Sequence, residues 1–183
     1  MHRLGKKIEM FPTSNYADLA AAVRPFRAIQ RLKEAKILYI CDPGPDANYV
    51  KAIHDKFGTQ IVNVPSKDLV AAYEAIPLAD AKAHAETWIR GAEKIVEPPK
   101  EDIVKGARMD LALFKMVEQA GASAITINCL GMGLIERDMG YPCLGFCRLN
   151  DVGLAGVCEA DLKSTMTHLL FLNLVGKPGF VTD

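Results

Sequence analysis

The feature that most constrains this chain is a repeated alternation of short apolar runs with longer amphipathic segments. Residues 36–41 and 60–64 are two such runs, rich in β-branched side chains and separated by a helix-like segment at 47–57. Two more, 124–129 and 153–158, follow further helical patterns. Strands that alternate with helices pair in parallel within one sheet, which the helices cover. The sequence therefore predicts a three-layer α/β fold with a mainly parallel sheet.

The chain is expected to have three parts. Residues 1–35 form an N-terminal helical segment, in which Pro25 should kink or split a helix over 16–33. Residues 36–140 form an α/β, Rossmann-like domain. Residues 141–183 carry an acidic segment and begin a second, small domain that is incomplete within this chain.

Charge and hydropathy exclude two classes of partner. The chain has 22 Lys+Arg against 22 Asp+Glu and a pI near 6.9, whereas proteins that bind nucleic acids or anionic lipid carry a clear basic excess. No apolar run approaches the roughly 18 residues of a spanning helix, and no signal-peptide core follows the N-terminus. We therefore expect a cytoplasmic protein that binds neither nucleic acid nor membranes.

The five cysteines are Cys41, Cys129, Cys143, Cys147 and Cys158. Their number is odd and most lie in apolar stretches, so reduced, buried thiols are expected rather than disulfides. Cys143 and Cys147 are four residues apart on one helix face, which would suit zinc only if two further ligands converged on them. The sequence shows no such pair, and a packed helix face is the favoured interpretation.

The four histidines give little support for nucleophilic catalysis. His168 lies on an apolar helical segment and is expected to be structural. His2, His54 and His84 have charged neighbours or lie at the terminus, which indicates solvated surface positions. None is paired with a Ser or Cys nucleophile in a recognisable local signature, so a hydrolase triad is not predicted.

The loop at 42–46 follows the first strand, where open α/β sheets place ligands. Two prolines remove N–H donors and the glycine spacing of a phosphate loop is missing, so a plain turn is favoured.

The most informative segment runs from Gly156 to Asp161. Glu159 and Asp161 follow an apolar strand directly, at the point where it gives way to a helix, among small residues that leave room for a ligand. A catalytic or metal-binding pair is one interpretation. The other is that either carboxylate caps the following helix and complements its dipole. Spacing alone leaves the two interpretations even.

Residues 141–153 (YPCLGFCRLNDVG), 155–162 (AGVCEADL), 164–167 (STMT) and 176–183 (GKPGFVTD) resemble the L-fucose/L-arabinose isomerase-like superfamily, specifically its divergent bacterial and archaeal members. The resemblance covers about residues 20–183, and the last forty-odd residues are its specific part. Earlier segments occupy the order expected of that family's middle α/β domain.

The resemblance implies an aldose–ketose isomerase that acts on an open-chain sugar through an ene-diol. It implies a divalent cation, Mn²⁺ or another such as Mg²⁺, held by two acidic residues and a histidine, and a homo-oligomer. Glu159 and Asp161 would be the catalytic and metal-binding residues, with Glu136 as the further metal ligand from the loop that also carries Asp138. Hard carboxylate oxygens suit such ions, and a second carboxylate can move the proton.

That family's metal-binding histidine belongs to a segment that would follow Asp183, and His168 is not its counterpart. The resemblance therefore implies a fragment or a natural short form. A second function remains open, namely a non-catalytic sugar-binding or structural subunit of the same fold.

Overall fold

The central element of the computed structural model, which describes residues 10–179, is a parallel sheet with strand order β2-β1-β3-β4. The strands are β1 (Lys36–Ile40), β2 (Gln60–Val64), β3 (Ala124–Ile127) and β4 (Ala155–Cys158). The helices of this described part are α1 (Tyr16–Glu34), α2 (Ala47–Phe57), α3 (Ser66–Glu74), α4 (Leu78–Gly91), α5 (Lys100–Ala120), α6 (Cys143–Asp151) and α7 (Leu162–Val175). The predicted three-layer α/β fold is confirmed.

Side-chain alternation along the strands builds two separate cores, one on each face of the sheet. Leu38 and Ile40 of β1 pack with buried residues of α3, α5 and α6. Ile37, the residue before Leu38, points the other way and packs with α1, α2 and α7. Successive strand residues point to opposite faces, and this sheet is apolar on both because helices cover both.

Two features differ from the sequence-based expectation, namely the continuity of the helix at Pro25 and the end of the helix in residues 78–95. Pro25 does not split α1, which is one continuous helix. A proline removes a single N–H donor, and the turns after it are held by Ala28 and Leu32, which are buried. The alanine-rich pattern of residues 78–95 predicts one helix, but α4 ends at Gly91. The pattern of residues 179–183 predicts a strand-like end, which lies outside the described residues beyond Gly179.

A buried polar cluster joins α4, α5 and α6. Asp110 of α5 has a side chain that is 0% exposed and lies 2.6 Å from Nε2 of His84 on α4. Its Oδ2 also pairs with the guanidinium of Arg148 on α6, which stacks 4.5 Å from the ring centre of Phe114. The prediction that His84 is a solvated surface residue is therefore wrong. Its charged sequence neighbours point outward, whereas the face of α4 that carries His84 packs against α5.

The strand β4 lies at one edge of the sheet and belongs to the 141–183 part, whereas the other three strands belong to the 36–140 part. The two parts therefore contribute strands to one sheet. Gly156 of β4 allows α6 to approach closely, since a Cβ there would lie only 2.6 Å from the Cα of Phe146. The side-chain amide of Asn150 accepts a hydrogen bond from the Gly156 N–H and donates one to its carbonyl, each at 3.1 Å.

No helix among residues 10–179 is long and apolar enough to cross a membrane.

Candidate functional site at the carboxyl edge of the sheet

The strand order places a topological switch point between β1 and β3. The chain goes from β1 outward to β2 on one side and from β3 outward to β4 on the other. In open α/β sheets, ligands bind at the carboxyl ends of the strands beside such a point. The residues that follow β1, β3 and β4 here are 41–46, 128–131 and 158–161. Together with residues of β1, α2 and α6, these segments contribute two groups of side chains.

The first group, named here the polar group, comprises Tyr39, Cys41, Tyr49, Asn128 and Asp161. The Asn128 amide donates to the Cys41 sulfur at 3.5 Å and so connects the ends of β1 and β3. Burial raises the pKa of Tyr39, with further contributions from Cys41 and Asp161. Burial, and then Asp161, also raise the pKa of Tyr49. Both phenols thus remain protonated donors close to one carboxylate.

Asp161 is the N-cap of α7. Its Oδ1 accepts a hydrogen bond from the Lys163 N–H at 2.8 Å, and its Oδ2 accepts one from the Ser164 hydroxyl. Burial alone would raise the pKa of Asp161, but these hydrogen bonds outweigh it and hold the pKa below its ordinary value. Of the two interpretations of this segment, capping is therefore observed for Asp161. Its negative charge also contributes to the raised pKa of Tyr39 and of Tyr49.

Glu159 is exposed and occupies a strained turn. Its φ is 63°, and the φ of Ala160 is 52°, so two consecutive residues with a Cβ lie in the left-handed region. Each such residue costs on the order of 1 kcal/mol or more, and backbone strain of this kind concentrates at functional sites. At these two residues the backbone is not extended, so the side chains of Glu159 and Asp161 do not follow the alternation of a strand.

Glu136 lies on the exposed turn that connects β3 to α6. Its neighbour Asp138 is ion-paired with Lys105 of α5 at 2.5 Å. Within residues 10–179, no three His, Cys, Asp or Glu side chains stand in positions to hold a metal ion. Glu136, Glu159 and Asp161 are therefore not assembled as a three-ligand set in this part of the chain.

The second group, named here the thiol group, comprises Cys129, Cys143, Cys147 and Cys158. Cys158 pairs in register with Ile127, two residues before Cys129, which places both thiols at the ends of neighbouring strands. Partial desolvation of the Cys158 thiol, although the residue as a whole is exposed, is the largest cause of a pKa raised to about 11. The nearby Cys129, Cys143, Glu159 and Cys147 contribute the rest of the increase. Burial and Cys143 likewise raise the pKa of Cys129.

The sequence-based interpretation of these cysteines is wrong in one respect. Cys129 is buried, but Cys143, Cys147 and Cys158 are exposed, so the two helix thiols do not belong to a packed face. A second pair of thiols, Cys129 and Cys158, follows the ends of β3 and β4, which the sequence did not reveal. The sequence did carry a signal in the alternation of the strands. Cys129 lies two residues after Ile127, and Cys158 lies two residues after Gly156, so both are predicted on the sheet face that α6 covers.

The acidic residues of the 42–46 loop act as caps. Asp42 accepts a hydrogen bond from the Ser66 N–H at the start of α3 at 3.0 Å, and Asp46 accepts one from the Tyr49 N–H in α2 at 2.8 Å. The loop therefore connects β1 to the helices on either side of it, as expected for a turn.

The carboxyl edge thus combines hard oxygen donors in and near the polar group with soft sulfur donors in the thiol group. No protein-family model matches the sequence, and no curated protein matches it.

Proposed function

We propose that this chain is the α/β part of a metal-dependent aldose–ketose isomerase that acts on an open-chain sugar, and that it is a divergent relative of the L-fucose/L-arabinose isomerase-like superfamily. The observation that carries the proposal is the strained turn after β4, which holds the exposed Glu159 at the carboxyl edge of the sheet. The resemblance of residues 141–183 supports the same assignment.

The turn supports a functional role because a structural role does not require its geometry. A strand can enter a helix through residues with negative φ, and a glycine at position 159 or 160 would relieve the strain. The chain instead has Glu159 and Ala160 there, with φ of 63° and 52°. A carboxylate held in this way at a strand end is suited to a ligand.

The proposal gives each nearby group a task. Glu159 would supply a hard oxygen ligand to Mn²⁺ or Mg²⁺, and Asp161 and Glu136 would join it only by moving from their described positions, in which the three are not assembled. The bound cation would polarise the carbonyl of the sugar. A carboxylate would move the proton between the two adjacent carbons, and the hydroxyls of Tyr39 and Tyr49 would donate hydrogen bonds to the sugar oxygens.

A second candidate is a non-catalytic sugar-binding or structural subunit of the same fold. It is favoured by the use of both Asp161 oxygens in capping α7. It is also favoured by the fact that residues 10–179 assemble no three-ligand set. The two candidates make opposite forecasts for added Mn²⁺.

The first test is thermal unfolding with and without millimolar Mn²⁺. A ligand that binds only the folded state stabilises it by mass action, so Mn²⁺ should raise the Tm of the parent. Glu159→Gln should remove this shift. Glu97→Gln is the matched control, because Glu97 is an exposed carboxylate in the segment between α4 and α5. It should retain the full shift.

The second test is conversion of a panel of aldopentoses and deoxyhexoses to ketoses in the presence of Mn²⁺. Turnover that is lost in Glu159→Gln and retained in Glu97→Gln is the expected result. Absence of both a Tm shift and turnover would contradict the enzyme and favour the second candidate. Sugar binding without turnover would then be the measurement that supports it.

We also propose a cytoplasmic homo-oligomer. Apolar side chains remain exposed along α1 and α7, among them Val23, Phe26 and Phe171. An apolar surface of this kind is typical of contacts between subunits. Light scattering should give a mass that is a multiple of the chain's 20.0 kDa. A monomer mass would refute this part of the proposal.

A further inference from the structure

We propose that the amino edge of the sheet carries a binding site for a small compound with two phosphate groups. Its central feature is the arginine row, Arg24, Arg27 and Arg31 of α1, which lines two adjoining cavities beside the carboxyl end of α7. The proposal is independent of the isomerase function, because the residues assigned to that function lie at the opposite, carboxyl edge of the sheet.

The two cavities lie where the strands begin. The larger, of about 350 Å³, is lined by Ala35, Ser123 and Leu154, which directly precede β1, β3 and β4. The smaller, of about 270 Å³, shares residues of α1 and α7 with the larger, including Arg27 and Asn173. The volume of the larger cavity is in the range of small-molecule pockets, roughly 300–1,000 Å³.

The arginine row follows the contact between α1 and α7. At about 100° per residue, helix positions 24, 27 and 31 fall within an arc of about 60°, next to the buried Ala28 and Leu32. Arg27 lines both cavities, whereas Arg31 lines the larger and Arg24 the smaller. With a rise of about 1.5 Å per residue, the midpoints of the two arginine pairs are about 5 Å apart along the helix. Each pair can therefore receive one phosphate group of the same compound.

The charge of the arginine row is not balanced locally. The whole chain has 22 cationic and 22 acidic residues, but within residues 10–179 no Asp or Glu side chain lines either cavity. No ion pair in this part of the chain includes an arginine of the row. Like charges three and four residues apart on a helix repel each other. A bound anion would relieve this repulsion, and guanidinium groups bind phosphate oxygens in a bidentate geometry.

Two neutral side chains complete the polar lining and favour an organic phosphate with hydroxyl groups. The Asn173 amide donates a hydrogen bond to the Leu169 carbonyl at 2.7 Å, so its oxygen is the atom that can accept one from a ligand hydroxyl. The hydroxyl of Ser123 can donate to a phosphate oxygen. A nucleoside diphosphate and a sugar bisphosphate share this chemistry, and the experiment compares them.

The first measurement is thermal unfolding of the full chain with inorganic pyrophosphate, at constant ionic strength and with EDTA present. A ligand that binds only the folded state raises the Tm as its concentration rises. Titration calorimetry then gives the dissociation constants. Pyrophosphate should bind at least about tenfold more tightly than inorganic phosphate, because it gains charge-assisted hydrogen bonds from a second arginine pair. The tighter of a nucleoside diphosphate and a sugar bisphosphate identifies the rest of the ligand.

The decisive variant is Arg27→Gln, since Arg27 lines both cavities. It should weaken pyrophosphate binding at least about tenfold, and Arg27→Lys, which keeps the charge but loses the bidentate fork, should recover only part of the loss. Lys33→Gln is the matched control, because Lys33 is an exposed cation of the same helix that lines neither cavity. Glu159→Gln should also retain the affinity, which separates this site from the proposed Mn²⁺ site.

A structural role for the row makes a different forecast. Cations beside the last turn of a helix interact favourably with its carbonyl groups, and α7 ends at Val175. If the row served only that purpose, Arg27→Gln would lower the Tm of the ligand-free protein. Under our proposal that Tm stays the same or rises, because a like charge is removed from the row.

Four results would overturn the proposal. The first is the absence of a Tm shift with millimolar pyrophosphate, and the second is equal weakening of binding in Arg27→Gln and Lys33→Gln. The third is a lower Tm of ligand-free Arg27→Gln with unchanged pyrophosphate binding. The fourth is binding of duplex nucleic acid or anionic lipid vesicles more tightly than pyrophosphate, since the row would then belong to a surface for polyanions.

Discussion

The carboxylate of Asp110 on α5 is fully buried and is ion-paired with the guanidinium of Arg148 on α6. His84 of α4 contacts the same carboxylate oxygen at 2.6 Å, while the other oxygen, Oδ1, has no partner among the described residues. One carboxylate thus fastens three helices. Because α6 also carries Cys143 and Cys147, this pair positions the thiol group at a distance.

The pair should be costly to break from the arginine side. Arg148→Met keeps an apolar stem over Phe114 but removes the guanidinium from the buried carboxylate, which retains its contact with His84. Because the Arg148 side chain is itself 37% exposed, a loss of about 1–3 kcal/mol in the free energy of unfolding is expected. The double variant Arg148→Met/Asp110→Asn should recover part of this loss, since the uncompensated charge is gone. Urea unfolding of the parent, both single variants and the double variant measures the coupling. Strict additivity would contradict the pairing.

The cap on α7 can be tested without metal. Asp161→Ala should lower the free energy of unfolding by about 1 kcal/mol, because the Lys163 N–H loses its acceptor, whereas Asp161→Asn should cost much less. Asp46→Ala removes the same contact from α2 and is the matched control, with a loss of similar size. If Asp161→Ala were neutral while Asp46→Ala was not, the capping role of Asp161 would be refuted.

The contact between β4 and α6 makes a steric prediction. A methyl group at Gly156 would meet the backbone of Phe146 at 2.6 Å, so Gly156→Ala must displace α6 or unfold the edge of the sheet. Gly91→Ala is the control, because nothing lies within 4 Å of its Cβ position and helices favour alanine. Thermal unfolding should show a clear fall in Tm for the first and no change or a rise for the second. A tolerated Gly156→Ala would argue against the packing of α6.

Asp42 should contribute to the acid sensitivity of the fold. Hydrogen bonds from Ser66 are the main reason that the pKa of Asp42 lies below its ordinary value of 3.8. For a carboxyl whose pKa is lower in the folded state, the stabilising contribution is complete above 3.8 and disappears as the pH falls through the folded value. Asp42→Asn should therefore lose less stability than the parent on acidification below that point. Urea midpoints over this pH range provide the measurement, and parallel curves would contradict the contact.

The sheet could be predicted from the sequence because its signals are local. The strands are short β-rich runs that end at polar residues or turns, and each helix shows its own periodicity. The position of His84 could not be predicted, because its burial depends on which face of α4 packs against α5. The same holds for Cys143 and Cys147, whose helix face is decided by Phe146.

The acidic segment shows why a site is harder to predict than a fold. Spacing by two places Glu159 and Asp161 on the same side of an extended strand. The positive φ angles at Glu159 and Ala160 break that alternation. The charge of Glu159 accordingly acts on the pKa of Cys158, whereas that of Asp161 acts on the pKa of Tyr39. A residue with a Cβ gives no sequence signal for such a conformation, since glycine is the residue that normally marks it.

The side-chain amide of Asn150 has a consequence for how copies of this protein can associate. By pairing with both the N–H and the carbonyl of Gly156, it occupies the outer edge of β4 as the next strand of a sheet would. An unpaired edge is a template on which a foreign strand can add and aggregation can begin. With this edge blocked by a side chain from its own helix, the sheet is protected from growth at β4 without needing a charge or a proline there.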